Sequence, residues 1–212
     1  FLLEDINRLL FNERMCLSDL GLPELQDVNI DVVAEERARY NTQHLQYEAA
    51  KMLTFNAEQN IVGAHILQQI TSVTDQLKLF LTAKAGRGKT FLINSVIAHL
   101  RLHNYIAIVC APSAVAATNY EGGITAHKAC RIPLETPQDG KKVSTLSGTS
   151  LQAELLRKAH VIVIDEISML KREDFDCMNR LLCDLRKDPR PFGGCHIIIL
   201  GDLAQLAPVV EE

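Results

Sequence analysis

The apolar positions of the chain follow two regimes. Over residues 1–55 they recur at helical spacing, so this part reads as helices and turns. "EDINRLLFNERM" (4–15) carries one apolar stripe, "GLPEL" (21–25) reads as a turn or helix start, and "VVAEERARYNTQHLQYEAAKML" (32–53) reads as one long polar-faced helix. "FNAEQNIVGAHILQQITSV" (55–73) opens on Asn56 with Gln59 three residues on, the pattern of a capping box. From Leu77 the regime changes. Short apolar runs rich in Val and Ile alternate with helical stretches: "KLFLTA" (78–83), "YIAIVCA" (105–111), "HVIVIDE" (160–166) and "CHIIILGD" (195–202). Continuous apolar runs suit strands buried on both faces. Strand and helix in alternation imply an α/β fold, a parallel sheet covered by helices. The polar, Gly- and Pro-containing segment "PLETPQDGKKVSTLSGTS" (133–150) reads as an exposed loop.

Composition changes this picture little. A chain of 212 residues suits one domain, or one domain with a helical extension. No apolar run approaches the ~20 residues that span a bilayer, so no membrane partner is expected. The acidic N-terminus lacks a signal-peptide layout, and the missing initial Met suggests a processed or excised segment. The six cysteines (Cys16, Cys110, Cys130, Cys177, Cys183, Cys195) contain no C-x-x-C pair. Buried reduced thiols are therefore the better reading than zinc, which favours an intracellular compartment. The nucleus is the expected setting. The net charge of −4 is uneven: residues 1–76 hold five Lys and Arg against twelve Asp and Glu, whereas residues 77–212 hold 17 against 14. A mildly basic C-terminal part can meet a polyanion, but so small an excess decides nothing.

Candidate chemistry lies where strands end. "LFLTAKAGRGKTFLINSVIAHL" (79–100) puts Gly88-Lys89-Thr90 between a strand and a helix. There, free N–H groups and the helix dipole favour an anion. Gly86 and Gly88 let the backbone curl around phosphate oxygens, Lys89 can reach β- and γ-phosphates, and the Thr90 hydroxyl can ligate Mg²⁺. Ala83 stands where such loops have their first glycine, and Lys84 and Arg87 add charge. The alternative is a chance Gly-Lys-Thr turn on the surface. "HVIVIDEISML" ends a buried run in Asp165 and Glu166; in a phosphate-loop protein the first acid holds Mg²⁺ and the second orients the attacking water. The alternative is a helix cap. "CHIIILGDLAQLAPV" adds Gln205, placed to sense the γ-phosphate or, more blandly, an exposed loop glutamine.

Together these stretches resemble the Pif-type DNA helicases of superfamily one, relatives of RecD, from about Leu53 to Val209. "FNAEQ" resembles the family's adenine-contacting motif, carried by Gln59. "TAKAGRGKT" resembles its phosphate loop, with Ala85, Gly86, Arg87, Gly88, Lys89 and Thr90 as the nucleotide cradle. "CAPSAVAATNYEGGITAHKACRIPL" resembles its strand-binding motif and the Gly-Gly-x-Thr-x-His element after it, which implies that Ser113, Thr125, His127 and Lys128 grip a DNA backbone. Without the resemblance, His127 reads equally as a satisfied loop histidine. "VIDEISML" and "GGCHIIILGDLAQLAPV" resemble the Asp-Glu and Gly-Asp-x-x-Gln motifs. The resemblance implies a RecA-like P-loop NTPase lobe over residues 56–212 with a helical N-terminal extension over 1–55. It also implies ATP and Mg²⁺ as cofactors, single-stranded DNA as partner, 5′-to-3′ unwinding and a monomer. Lys89, Asp165, Glu166 and Gln205 would be the catalytic set. The helical start looks like the helicase part of Helitron-type transposons. Such motors need a second RecA-like lobe, whose arginine is worth ~10³-fold or more in phosphoryl transfer. This chain stops after the third motif, so alone it is expected to bind nucleotide weakly and hydrolyse it slowly. Arg87, Ala83, Ala207 and Ser113-Ala114 depart from the family pattern and motivate a second reading, a non-catalytic module that binds DNA or partners without turnover. A nucleotide kinase or stand-alone ATPase is a third, against which Gln205 and the Thr125–His127 element speak.

Overall fold

The computed structural model describes residues 2–15, 17–22, 30–72, 75–84, 86–138 and 140–202. Among the described residues three α-helices come first: α1 (Leu2–Asn12), α2 (Val32–Ala38) and α3 (Thr42–Ala50). The expected single helix over 32–53 is therefore two. Asn41 interrupts it with an extended backbone, and its side chain accepts from the His44 N–H as the cap of α3. A short polar side chain that can bond its own backbone competes with continued helix, which the apolar spacing does not reveal. Most of "GLPEL" lies outside the described residues. Next comes α4 (Ala57–Ser72), whose start is the expected reciprocal box. The Asn56 N–H donates to Gln59 Oε1 at 3.1 Å, and the Gln59 N–H to Asn56 Oδ1 at 2.9 Å.

The rest builds one sheet. Strand β1 (Lys78–Thr82) leads into α5 (Lys89–Leu102), and β2 (Ala107–Ala111) into the one-turn α6 (Ala114–Ala117). Then follow the two-residue β3 (Ile124–Thr125), α7 (Ala126–Cys130), α8 (Leu151–Lys158), β4 (Val161–Ile164), α9 (Arg172–Arg186) and β5 (His196–Gly201). The order is β1-β5-β4-β2-β3 and every pairing is parallel. The expected α/β sheet is thus present, and all C-terminal strand ends share one edge. The strand from the last apolar run lies between the strand leading to Lys89 and the strand ending at Asp165.

Alternate strand residues face opposite layers. Ile108, Cys110, Ile162, Ile164 and Ile197 pack with Leu155, Leu156, Met178 and Leu182 of α8 and α9. Ala107, Val109, Val161, Val163 and Ile198 pack with Ile66, Ile70, Ile93 and Val96 of α4 and α5. The "KLFLTA" run departs from expectation. Among the described residues β1 is an outer strand, with Phe80 43% exposed rather than covered on both faces. Burial pushes the Cys110 and Cys195 thiols up to about 12, so both stay protonated core groups.

The segment 133–150 is also not simply exposed. Lys142 is 1% exposed and its Nζ lies 2.7 Å from Asp174 Oδ1 on α9. Ser150 is buried and caps α8 by accepting from the Ala153 N–H. The N-terminal helices dock through charge as well as apolar contact. Arg14 donates to Glu36 at 2.8 Å, Tyr40 donates to the same carboxylate at 2.8 Å, and the Arg101 guanidinium stacks 3.9 Å from the Tyr40 ring centroid. No described helix is long and apolar enough to cross a membrane.

Candidate nucleotide and single-strand site

The loop after β1 is built by its glycines. Gly86 has φ +73° and Gly88 has φ +79°, a conformation that L side chains rarely adopt. A Cβ on Gly88 would also stand 2.8 Å from Gln59 Nε2. Gly88 is the N-cap of α5 and its carbonyl accepts from the Leu92 N–H at 3.0 Å, so Lys89 and Thr90 open the helix. Ala83 is not among the residues with positive φ, so the β-carbon in the usual glycine position carries no left-handed strain. Lys89 folds back over the loop, donating from Nζ to the Ala83 carbonyl and, at 3.4 Å, to the Lys84 carbonyl.

Asp165 follows β4 directly. Its N–H extends the β2 ladder to the Cys110 carbonyl at 2.9 Å, and the residue is 4% exposed. Its two carboxylate oxygens have separate partners. The Glu166 N–H donates to Oδ1 at 2.8 Å and the Tyr120 hydroxyl donates to Oδ2 at 2.8 Å. Glu166 sits at φ 49°, ψ 46°, a left-handed conformation that costs a non-glycine residue on the order of 1–3 kcal/mol. It therefore does not begin a helix as an ordinary cap; the 3₁₀ turn Ile167–Met169 intervenes before α9.

These pieces meet. A cavity of about 380 Å³ is lined by Gly86 to Phe91 together with Asp165 and Glu166. A second, of about 500 Å³, lies on the other flank of the loop and is lined by Asn56, Gln59, Val62, Leu81 to Lys84 and Arg87 to Lys89. Arg87, Gly88 and Lys89 border both, so the loop is the wall between a phosphate-sized space and a space beside Gln59. The Gln59 amide oxygen is engaged in its helix cap, while Nε2 faces Gly88. Ala85 and Gln205 lie outside the described residues. The donor set suits a hard cation. Thr90 contributes a hydroxyl and Asp165 a carboxylate, both lie against the Tyr120 phenol oxygen, and oxygen ligands are what Mg²⁺ takes.

The strand-side candidates share the same sheet edge, since Thr125 pairs with Ala111, two residues before Ser113. Each is engaged with a neighbour of its own. Ser113 Oγ accepts from the Ala116 N–H at 3.1 Å and Thr125 Oγ1 from the Lys128 N–H at 3.2 Å, each capping the helix that follows it. His127 Nε2 lies 3.5 Å from Asp174 Oδ2, and Lys128 Nζ donates to the Glu13 carbonyl at 2.8 Å.

Sequence reasoning passed over Tyr120. It is 4% exposed, beneath the cavity that holds Asp165. Burial first, and the Asp165 carboxylate second, push its phenol far above the ordinary range, so it is a permanent proton donor to Asp165. Its one signal in the sequence is an aromatic residue just ahead of Gly122-Gly123 in a chain with only 5% aromatics.

Comparison with known proteins gives the family. Residues 54–212 match the PIF1-like helicase family. The chain is 34% identical over 131 residues to the ATP-dependent DNA helicase Pif1 of Psychrobacter sp., covering 62% of this chain and 20% of that protein. It is 33% identical over 149 residues to the ATP-dependent DNA helicase PIF1 of Candida albicans, covering 70% and 16%. Among solved structures it resembles the Pif1 helicase from Bacteroides in complex with ADP-AlF3 and ssDNA, at 32% identity and a TM-score of 0.60, over 74% of this chain and 34% of that one. The chain thus spans about a fifth or less of these curated relatives and a third of the solved one. The parallel sheet is that of the Pif1 RecA-like domain, and the chain belongs to the PIF1-like helicase family.

Proposed function

We propose that this chain is the first motor lobe of an ATP-dependent DNA helicase, binding ATP with Mg²⁺ and single-stranded DNA. One observation carries the reading: Lys89, Thr90, Asp165 and Glu166, contributed by two separate strand–loop junctions, line one cavity. The loop N–H groups and the N-terminus of α5 hold the phosphates, since unpaired donors and the helix dipole both favour negative charge there. Lys89 is poised rather than fixed. Its partners are two carbonyls, and a phosphate oxygen is the stronger acceptor for an ammonium group. Thr90 and Asp165 would hold Mg²⁺, which when bound neutralises charge developing on the transferred phosphoryl group. Glu166, partly exposed at the same cavity, orients the attacking water. Gln59 offers Nε2 to the base in the adjoining space. Ser113 and Thr125 contact the strand's phosphates with their hydroxyl hydrogens, because their caps use only an oxygen lone pair. Unwinding in the 5′-to-3′ direction, and the transposon setting that the helical start suggests, are the finer parts of this reading.

The test is a titration of a fluorescent ATP analogue with Mg²⁺, followed by ATP hydrolysis with and without single-stranded DNA in a protein holding both lobes. Saturable binding that Lys89→Ala weakens, and hydrolysis that DNA stimulates, are expected. Binding indifferent to Lys89→Ala, or no hydrolysis with DNA present, refutes the motor reading.

A further inference from the structure

Tyr120 occupies a place that no motif assigns. Its hydroxyl donates to Asp165 Oδ2 at 2.8 Å, and the Thr90 side chain is a neighbour of the same phenol. Each hydroxyl has one hydrogen to give. With the phenol hydrogen given to Asp165, the phenol oxygen can only accept from the neighbouring Thr90 hydroxyl. The remaining lone pairs of Thr90 and Asp165 are then free to face a cation.

The turn that carries Tyr120 is held firmly. The Asn94 side-chain amide donates to the Asn119 carbonyl at 2.9 Å, and Arg101 donates to the Glu121 carbonyl at 2.8 Å. Both belong to α5, the helix that Thr90 opens. Gly123 lies so close beneath that a Cβ there would stand 2.2 Å from the Ala117 carbonyl oxygen. Helix, turn and strand tip therefore form a closed frame, with the phenol where the three meet. A phenol so enclosed is not a mobile latch.

We propose that Tyr120 is a positioning residue, orienting the Thr90 hydroxyl and the Asp165 carboxylate as a ligand pair for a divalent cation. The proposal rests on the reading that Thr90 and Asp165 hold Mg²⁺, and goes beyond it by naming what aims them. Partners that orient metal ligands are worth about 10- to 100-fold in metal affinity.

The experiment needs no turnover. Mn²⁺, as a paramagnetic stand-in for Mg²⁺, is titrated into the whole protein with a non-hydrolysable ATP analogue, and free Mn²⁺ is read by electron paramagnetic resonance. Nucleotide affinity is measured separately in chelator. Tyr120→Phe, which keeps the ring and deletes the hydroxyl, is expected to weaken Mn²⁺ about 10- to 100-fold while leaving metal-free nucleotide affinity unchanged. Unchanged Mn²⁺ affinity, or an equal loss of metal-free nucleotide binding, overturns the proposal. Asp165→Asn separates the two levels. If it also leaves Mn²⁺ affinity unchanged, the metal reading fails and takes the proposal with it; if it weakens Mn²⁺ and Tyr120→Phe does not, only the proposal fails. Should Tyr120→Phe not fold, Asn94→Ala, which loosens the same turn, is expected to weaken Mn²⁺ several-fold, and no loss there is equally fatal.

Discussion

The nucleotide flank and the strand flank of the sheet edge use similar residue types in opposite ways. At the first, Lys89, Thr90, Asp165 and Glu166 come from positions far apart in sequence and face one cavity. At the second, Ser113, Thr125, His127 and Lys128 lie close in sequence, and each is engaged with its own surroundings. The difference teaches that a polar motif residue first satisfies the backbone it sits in. Function then depends on what capacity is left. Among the described residues Lys89 holds only carbonyls, and it can exchange them for a phosphate. Ser113 and Thr125 keep a hydroxyl hydrogen. His127 faces Asp174, which also holds Lys142, so the histidine has a partner that is itself shared.

That sharing gives the largest expected effect. Lys142→Ala leaves Asp174 buried without its cation, and breaking a buried pair from one side costs about 3–5 kcal/mol. Equilibrium denaturation should show a loss of this size. A loss below about 1 kcal/mol, the range of an exposed pair, would mean that the segment 133–150 is not anchored and that His127 is freer than described.

Lys89→Ala sharpens the other flank. A hydrogen bond to a charged group is worth about 1.5–3 kcal/mol, so ATP-analogue affinity should fall roughly 10- to 150-fold. Ser113→Ala should leave that affinity unchanged. If both substitutions weaken nucleotide binding alike, the two flanks are one site and the contrast dissolves.

Thr125→Ala is expected to cost about 1 kcal/mol of stability through its lost cap. Thermal unfolding checks this. A neutral result would mean that the hydroxyl is not engaged in the cap and belongs wholly to the strand.

How far each flank was legible follows the same division. The inner strands were readable because burial on two faces leaves continuous apolar runs, as in Val161 to Ile164. Asp165 was readable because a carboxylate directly after such a run needs explaining. Gln59 was readable because a capping box is local. What stayed hidden depends on partners distant in sequence. Lys142 looks like any loop lysine until Asp174, 32 residues on, is placed beside it. The break at Asn41 was hidden because apolar spacing stays helical on both sides. Two-residue β3 is too short to leave a pattern. Tyr120 is an ordinary aromatic in sequence, and only the fold brings Thr90 and Asp165 to its hydroxyl.

Lys128 gives the smallest effect and the finest distinction. Its ammonium holds the Glu13 carbonyl, 115 residues away, through one solvent-exposed bond. A bond from a charged group is worth about 1.5–3 kcal/mol when shielded, and exposure to water cuts it well below that, so Lys128→Ala should barely move stability. If the ammonium exchanges that carbonyl for a strand phosphate, the substitution removes one neutralised charge. The slope of log affinity for single-stranded DNA against log salt should then fall in magnitude by about 0.7. The two roles predict opposite readouts. A changed slope with unchanged stability makes Lys128 a strand contact held in reserve, like Lys89 at its own flank. An unchanged slope with a measurable stability loss makes it a tie between α7 and the segment after α1, and the strand flank then grips through Ser113 and Thr125 without it.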